Sequence, residues 1–78
     1  MNKWIENRSN MQYFNLAKVI CISTDEYSKD SFRIALRFED GVNRFLTYTD
    51  SVKRDYHFQF IKDFLNQNDL SFLTLETE

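Results

Sequence analysis

Ser31-Phe32-Arg33-Ile34-Ala35-Leu36-Arg37-Phe38-Glu39 puts Phe32, Ile34, Leu36 and Phe38 on one side of an extended chain. Arg33, Ala35, Arg37 and Glu39 fall on the other. This period of two is that of a half-buried strand, because a helix would scatter the same apolar residues around its circumference. Asp40-Gly41 follows at once, a strong hairpin signal. Asn43 to Tyr48 then returns, with Phe45 and Thr47 on one face and Leu46 and Tyr48 on the other. A five-residue loop from Glu39 to Asn43 sets Leu36 beside Leu46 and Ile34 beside Tyr48. A shorter loop turns Phe45 inward instead.

Beyond Ser51 the period changes. His57, Phe60, Ile61, Phe64 and Leu65 recur at three- and four-residue spacing and give one apolar helical face. Tyr56 and Phe58 flank it. Asp50 or Ser51 serves as N-cap, and Asn66-Gln67-Asn68-Asp69 ends the helix with turn-prone polar residues. The expectation is that Phe60, Ile61, Phe64 and Leu65 meet Phe32, Ile34, Leu36 and Phe38 in one core.

Toward the N-terminus, Val19-Ile20-Cys21-Ile22-Ser23 reads as a strand whose apolar residues do not alternate, which points to cover on both faces. Asn15 to Lys18 turns or bulges, Gln12 to Phe14 is a short strand, Asn7 to Asn10 a loop, and Trp4-Ile5 a brief first strand. Leu70 to Thr77 supplies a last strand, with Leu73 and Leu75 alternating against Phe72 and Thr74. The expected fold is a single α+β domain over residues 1–78. It has a four- to five-stranded, mostly antiparallel sheet, a β-meander, with one helix packed on one face and a short C-terminal strand.

Composition narrows the function classes. The chain has 78 residues, 42% hydrophobic and 28% charged, which suits one small globular domain. Aromatic residues reach 17%, and there is one glycine and no proline, so glycine-rich phosphate loops are excluded. Ten basic residues face twelve acidic ones, for a net charge of −2, with no polybasic run. The segment from Met1 to Arg8 lacks an apolar signal-peptide core and no stretch is long enough to span a bilayer, so a cytoplasmic location is expected.

The residues able to carry chemistry are few. His57 has neither a nucleophile nor a carboxylate at helical spacing and reads as a boundary or packing residue. Cys21, set between Ile20 and Ile22, reads as an inert packing residue. The pairs Asp25-Glu26 and Glu39-Asp40 point to opposite faces of an extended chain and do not chelate. No catalytic, cofactor or metal site is therefore expected, and the chain reads as a non-catalytic protein-binding or self-associating module with a regulatory use.

Two alternatives start from charge. Arg33 and Arg37 share the outer strand face, and Arg44, if it points the same way, completes a nucleic-acid or anion contact, with Tyr13, Phe45 or Tyr56 stacking on bases. The meander followed by a helix also resembles the layout of the positive-cofactor family of single-stranded-DNA-binding domains, a resemblance that implies the same ligand. The other alternative is an acidic inhibitor of the phage or mobile-element kind. It would offer Asp25, Glu26, Asp30, Glu39 and Asp40 to a basic partner. The leading expectation is a homodimer or a protein partner and no membrane. The contact would lie at Val19 and Cys21, or at Ile20 and Ile22 if the pleat is reversed, with Tyr56 and Phe58 as a second association surface.

Overall fold

The computed structural model describes residues 3–67 and 71–77. In order it forms β1 (Trp4–Asn7), β2 (Gln12–Asn15), a 3-10 turn (Leu16–Lys18), β3 (Val19–Ser28), β4 (Ser31–Phe38), β5 (Asn43–Tyr48), α1 (Ser51–Leu65) and β6 (Phe72–Leu75). The fold is α+β, as the alternation and the helical period required. Asn68, Asp69 and Leu70, read as the helix end and the start of the last strand, lie outside the described residues. Among the described residues no helix is long and apolar enough to cross a membrane.

The strands form two three-stranded sheets, ordered β2-β1-β6 and β3-β4-β5, in place of the single sheet expected. The reason is β6, which pairs parallel with β1 and not with the meander. Ile5 sits between Phe14 and Leu73, so β1 becomes the centre of its own sheet. The other three pairings are antiparallel.

The β4–β5 hairpin resolves the register. The Phe38 N–H donates to the Val42 carbonyl at 2.9 Å, and the Gly41 N–H to the Phe38 carbonyl at 2.9 Å. Gly41 has φ +86°, a left-handed conformation that side chains other than glycine's disfavour, and this closes a three-residue loop. Ile34 therefore faces Leu46, and Phe32 faces Tyr48. The loop is shorter than five residues by two. A two-residue slip preserves the pleat, so Leu46 and Tyr48 remain inward and Phe45 points out.

The core joins both sheets to the helix. Ile5, Phe14, Leu16 and Leu75 come from the first sheet and its turn; Ile34, Leu36, Leu46 and Tyr48 come from the second. From α1 only Ile61 and Phe64 are fully buried, with Phe58 half-buried against them. The helix is rotated from the expected face: Phe60 is 48% exposed and Leu65 41%. Arg54 and His57 turn inward in their place, and each finds a polar partner. The Asp50 carboxylate caps α1 by accepting from the Val52 N–H at 2.9 Å. At the other end Lys3 Nζ donates to the Phe64 carbonyl at 2.8 Å and to that of Gln67, placing a cation where the helix dipole is negative.

This orientation is testable by urea unfolding. Leu36→Ala and Phe64→Ala should each cost about 2–5 kcal/mol, because they empty enclosed volume. Phe60→Ala, on a ring half in water, should cost less than about 1 kcal/mol. Equal losses at Phe60 and Phe64 would contradict the rotation of the helix described above.

Candidate association surfaces

Strand β3 has ten residues and lies at the edge of its sheet, with β4 as its one partner. Its apolar half does not alternate because the register shifts between Val19 and Cys21. One extra residue at this β-bulge lets both Val19 and Ile22 turn toward the core. Ile20 is left 65% exposed and Cys21 exposed as well. The sequence expectation of cover on both faces is thus corrected, as is that of Cys21 as a packed core thiol. The polar half, Thr24 to Ser28, carries no apolar pattern and was not legible as strand. It is held by the ladder to β4 and by its side chains.

Backbone directions along this edge follow from two hydrogen bonds. The Phe38 N–H points to β5, and the Glu39 N–H donates to the Lys18 carbonyl at 2.8 Å. Odd-numbered residues of β4 therefore turn their backbone groups to β3. Their partners Cys21 and Ser23 answer them, since Cys21 faces Arg37 and Ser23 faces Ala35. Between these, Ile22 and Thr24 direct their N–H and C=O groups away from β4, toward the open edge. Beside them lies a hollow of about 180 Å³ lined by Leu16, Val19, Ile20, Cys21, Ile22 and Leu65, all apolar.

A second surface runs along α1. Val52, Tyr56 and Phe60 recur every four residues and all are exposed. With Asp50, Lys53 and His57 they line an open hollow of about 470 Å³. Tyr56 was expected on an association surface and is 63% exposed. Phe58 was expected there too; it packs on the core, with Lys62 Nζ 5.4 Å from its ring centroid. The four-residue recurrence of Val52, Tyr56 and Phe60 was the available signal for this stripe, masked in the sequence because Phe60 also fits the core spacing.

His57 links this surface to the core. The buried Tyr48 hydroxyl and His57 Nδ1 share a hydrogen bond of 2.7 Å. Burial pushes the Tyr48 pKa up, so the hydroxyl keeps its proton. Burial, and secondarily the charge of Lys53, pulls the His57 pKa below its usual value. His57 also lies edge-on to Tyr48 and stacks with Phe60.

The three arginines do not form one surface. Arg33 and Arg37 lie on the outer face of β4, but Arg44 faces Leu36 across the hairpin and belongs to the inner side. It lies near the Phe38 ring, at 5.7 Å. Arg33 is committed: Nε and Nη2 donate to the two Asp25 carboxylate oxygens, each at 2.8 Å. Its guanidinium also lies 4.0 Å from the Phe45 ring centroid and 4.7 Å from that of Tyr27. The hydrogen bonds from Arg33 hold the Asp25 carboxyl below the usual carboxylate range. The acidic set is divided in the same way. Glu39 pairs with Lys18 at 3.2 Å, and the Asp40 carboxylate accepts from the Val42 N–H at 2.9 Å.

Behind the other sheet, Trp4, Tyr13 and Phe72 are exposed around Glu6. Glu6 accepts from the Tyr13 hydroxyl at 3.1 Å and the Thr74 hydroxyl at 3.3 Å. Among the described residues no three His, Cys, Asp or Glu side chains gather so as to hold a metal ion. Comparison of the chain with protein-family models, with curated proteins and with solved structures found no match.

The His57 environment sets a pH dependence. Its folded pKa lies below the unfolded value of about 6.5. Between the two values the unfolded chain binds a proton that the folded chain does not, so stability rises with pH there. Stability should be full above the unfolded value and fall as pH drops through the folded one. Urea midpoints measured from pH 7.5 down to pH 5 should show the decline, and His57→Gln should flatten it. An unchanged slope in that variant would assign the effect to other groups.

Proposed function

We propose that this chain is a non-catalytic association module that binds another protein segment by adding it to the β3 edge. The observation carrying this reading is the edge itself: ten residues long, regular between Cys21 and Glu26, with an apolar hollow alongside. Long open edges with apolar side chains are templates for pairing. The other edge strands, β2, β5 and β6, have only four, six and four residues. Bulges bound β3 at both ends and limit the pairing to the segment between them. An added strand would draw affinity from main-chain hydrogen bonds and specificity from the pocket that alternate side chains enter.

Amide hydrogen exchange at rising protein concentration tests the surface. The outward amides of Ile22 and Thr24 should exchange fast in dilute solution and gain protection as association proceeds. Those of Ala35 and Arg37, already in the ladder to β3, should change little. Association accompanied by fast exchange at both Ile22 and Thr24 would locate the contact elsewhere.

A further inference from the structure

We propose that the outward face of the sheet β2-β1-β6 is a docking site for an arginine side chain of a partner protein, seated over Trp4 and Phe72 with its guanidinium turned to Glu6. This surface belongs to the other sheet from the β3 edge and stands whether or not that edge binds a partner. Strand alternation builds it. Ile5, Asn7, Phe14 and Leu75 are buried, so the residues between them point away from the core. The register then sets them in two rows. Trp4 stands beside Phe72, and Glu6 stands between Tyr13 and Thr74. The three rings are exposed, whereas the Glu6 side chain is only 19% exposed.

The carboxylate is held in place but retains capacity. Glu6 Oε2 accepts from the Tyr13 hydroxyl at 3.1 Å, and Oε1 from the Thr74 hydroxyl at 3.3 Å. Both are longer than the usual O–H···O length of about 2.7–2.8 Å. Two neutral hydroxyls orient the group without cancelling its charge. Arg8 approaches Oε1 through Nε at 3.7 Å, and its side chain is 62% exposed. A contact so long and so wet binds weakly. An ionised carboxylate offers about four acceptor positions, enough for a two-pronged donor beside the hydroxyls.

The other sheet shows what such a set of groups holds. There Asp25, Phe45 and Tyr27 surround Arg33. Its guanidinium donates to both carboxylate oxygens at 2.8 Å and lies 4.0 Å and 4.7 Å from the two ring centroids. A carboxylate with flanking rings matches a guanidinium in charge, plane and fork together. The Glu6 face repeats these kinds of group on an outward surface and adds an indole, the best of the rings for cation–π contact. A wholly apolar partner would take the carboxylate out of water with no cation to balance it, which is costly. An ammonium would answer the charge but not the fork. The complement of this face is therefore a planar cation.

Trp4 is the one tryptophan of the chain, so its indole Nε1–H gives a single resonance that reports on the site. Titration of the isotope-labelled full chain with acetyl-Gly-Arg-Gly-amide to about 10 mM should move that resonance saturably. The citrulline peptide keeps the shape without the charge and should leave it in place. The lysine peptide should bind more weakly than the arginine one. Glu6→Gln keeps an acceptor for Tyr13 and Thr74 and should weaken arginine binding about tenfold. Phe72→Ala should weaken it as well, and both variants should keep the circular dichroism of the wild type. A resonance unmoved to the end of the titration overturns the proposal. So do equal shifts with arginine and citrulline, equal affinity for arginine and lysine, or binding indifferent to Glu6→Gln in a folded variant. The Ile22 and Thr24 amides report on the β3 edge separately, so a failure at one surface leaves the other standing.

Discussion

Asp25 ties three parts of this chain together. Its carboxylate takes both forks of Arg33 on β4, and its backbone carbonyl accepts from Arg54 Nη1 of α1 at 2.9 Å. A polar edge strand has little apolar surface with which to hold its place, so its position depends on such directed bonds. Two-pronged pairing fixes both distance and plane, and the Phe45 and Tyr27 rings on the guanidinium restrict it further. The same bonds set the entry of the helix. Arg54 is pulled inward over Phe32, and the helix turns so that His57, Ile61 and Phe64 follow it toward the core. Lys3 then holds the far end of the helix against β1. The orientation that leaves Val52, Tyr56 and Phe60 in water is thus fixed at both termini of the helix by cationic side chains.

What the amino-acid sequence revealed divides along the range of the forces involved. The strand alternation of β4, the turn at Gly41 and the cap at Asp50 each depend on neighbours within a few residues, and each was legible. The helical face was legible only in part. Ile61 and Phe64 lie at its centre, but its flanks were decided by distant groups, the Asp25 carbonyl for Arg54 and the Tyr48 hydroxyl for His57. A count of apolar residues assigns those inward places to Phe60 and Leu65. The non-alternating Val19 to Ile22 run has a similar lesson. Without a partner strand in view, a bulge and a doubly covered strand have the same pattern. The division into two sheets was not legible at all, since nothing near Phe72 or Leu75 announces a parallel pairing with Trp4 to Asn7.

The arginine face shows why composition alone misleads at the scale of a site. Arg33, Arg37 and Arg44 are all on the hairpin, yet the register separates Arg44 from the others and Asp25 neutralises Arg33. Arg37 is exposed beside Asn43 and Cys21, a single charge where a phosphate-tracking surface needs several. The surfaces that do extend over several residues are the β3 edge, the helix stripe and the aromatic patch around Glu6, and each is built from apolar and backbone groups.

The parallel seam between β1 and β6 bears on how the molecule comes into being. Glu6 and Thr74 bond across 68 positions of chain. The β3–β4 and β4–β5 hairpins need only short loops to close, whereas this seam must bring remote segments together and bears a larger entropic cost of closure. The two hairpins of the meander and the β1–β2 hairpin can close before the β1–β6 seam does. For that interval one side of β1 lacks its neighbour, and Ile5 and Asn7 lack the cover that Leu73 and Leu75 bring. The partly folded chain therefore exposes a second open strand, transient where the β3 edge is permanent. The final act of folding is to withdraw the first of these from circulation while leaving the other on display.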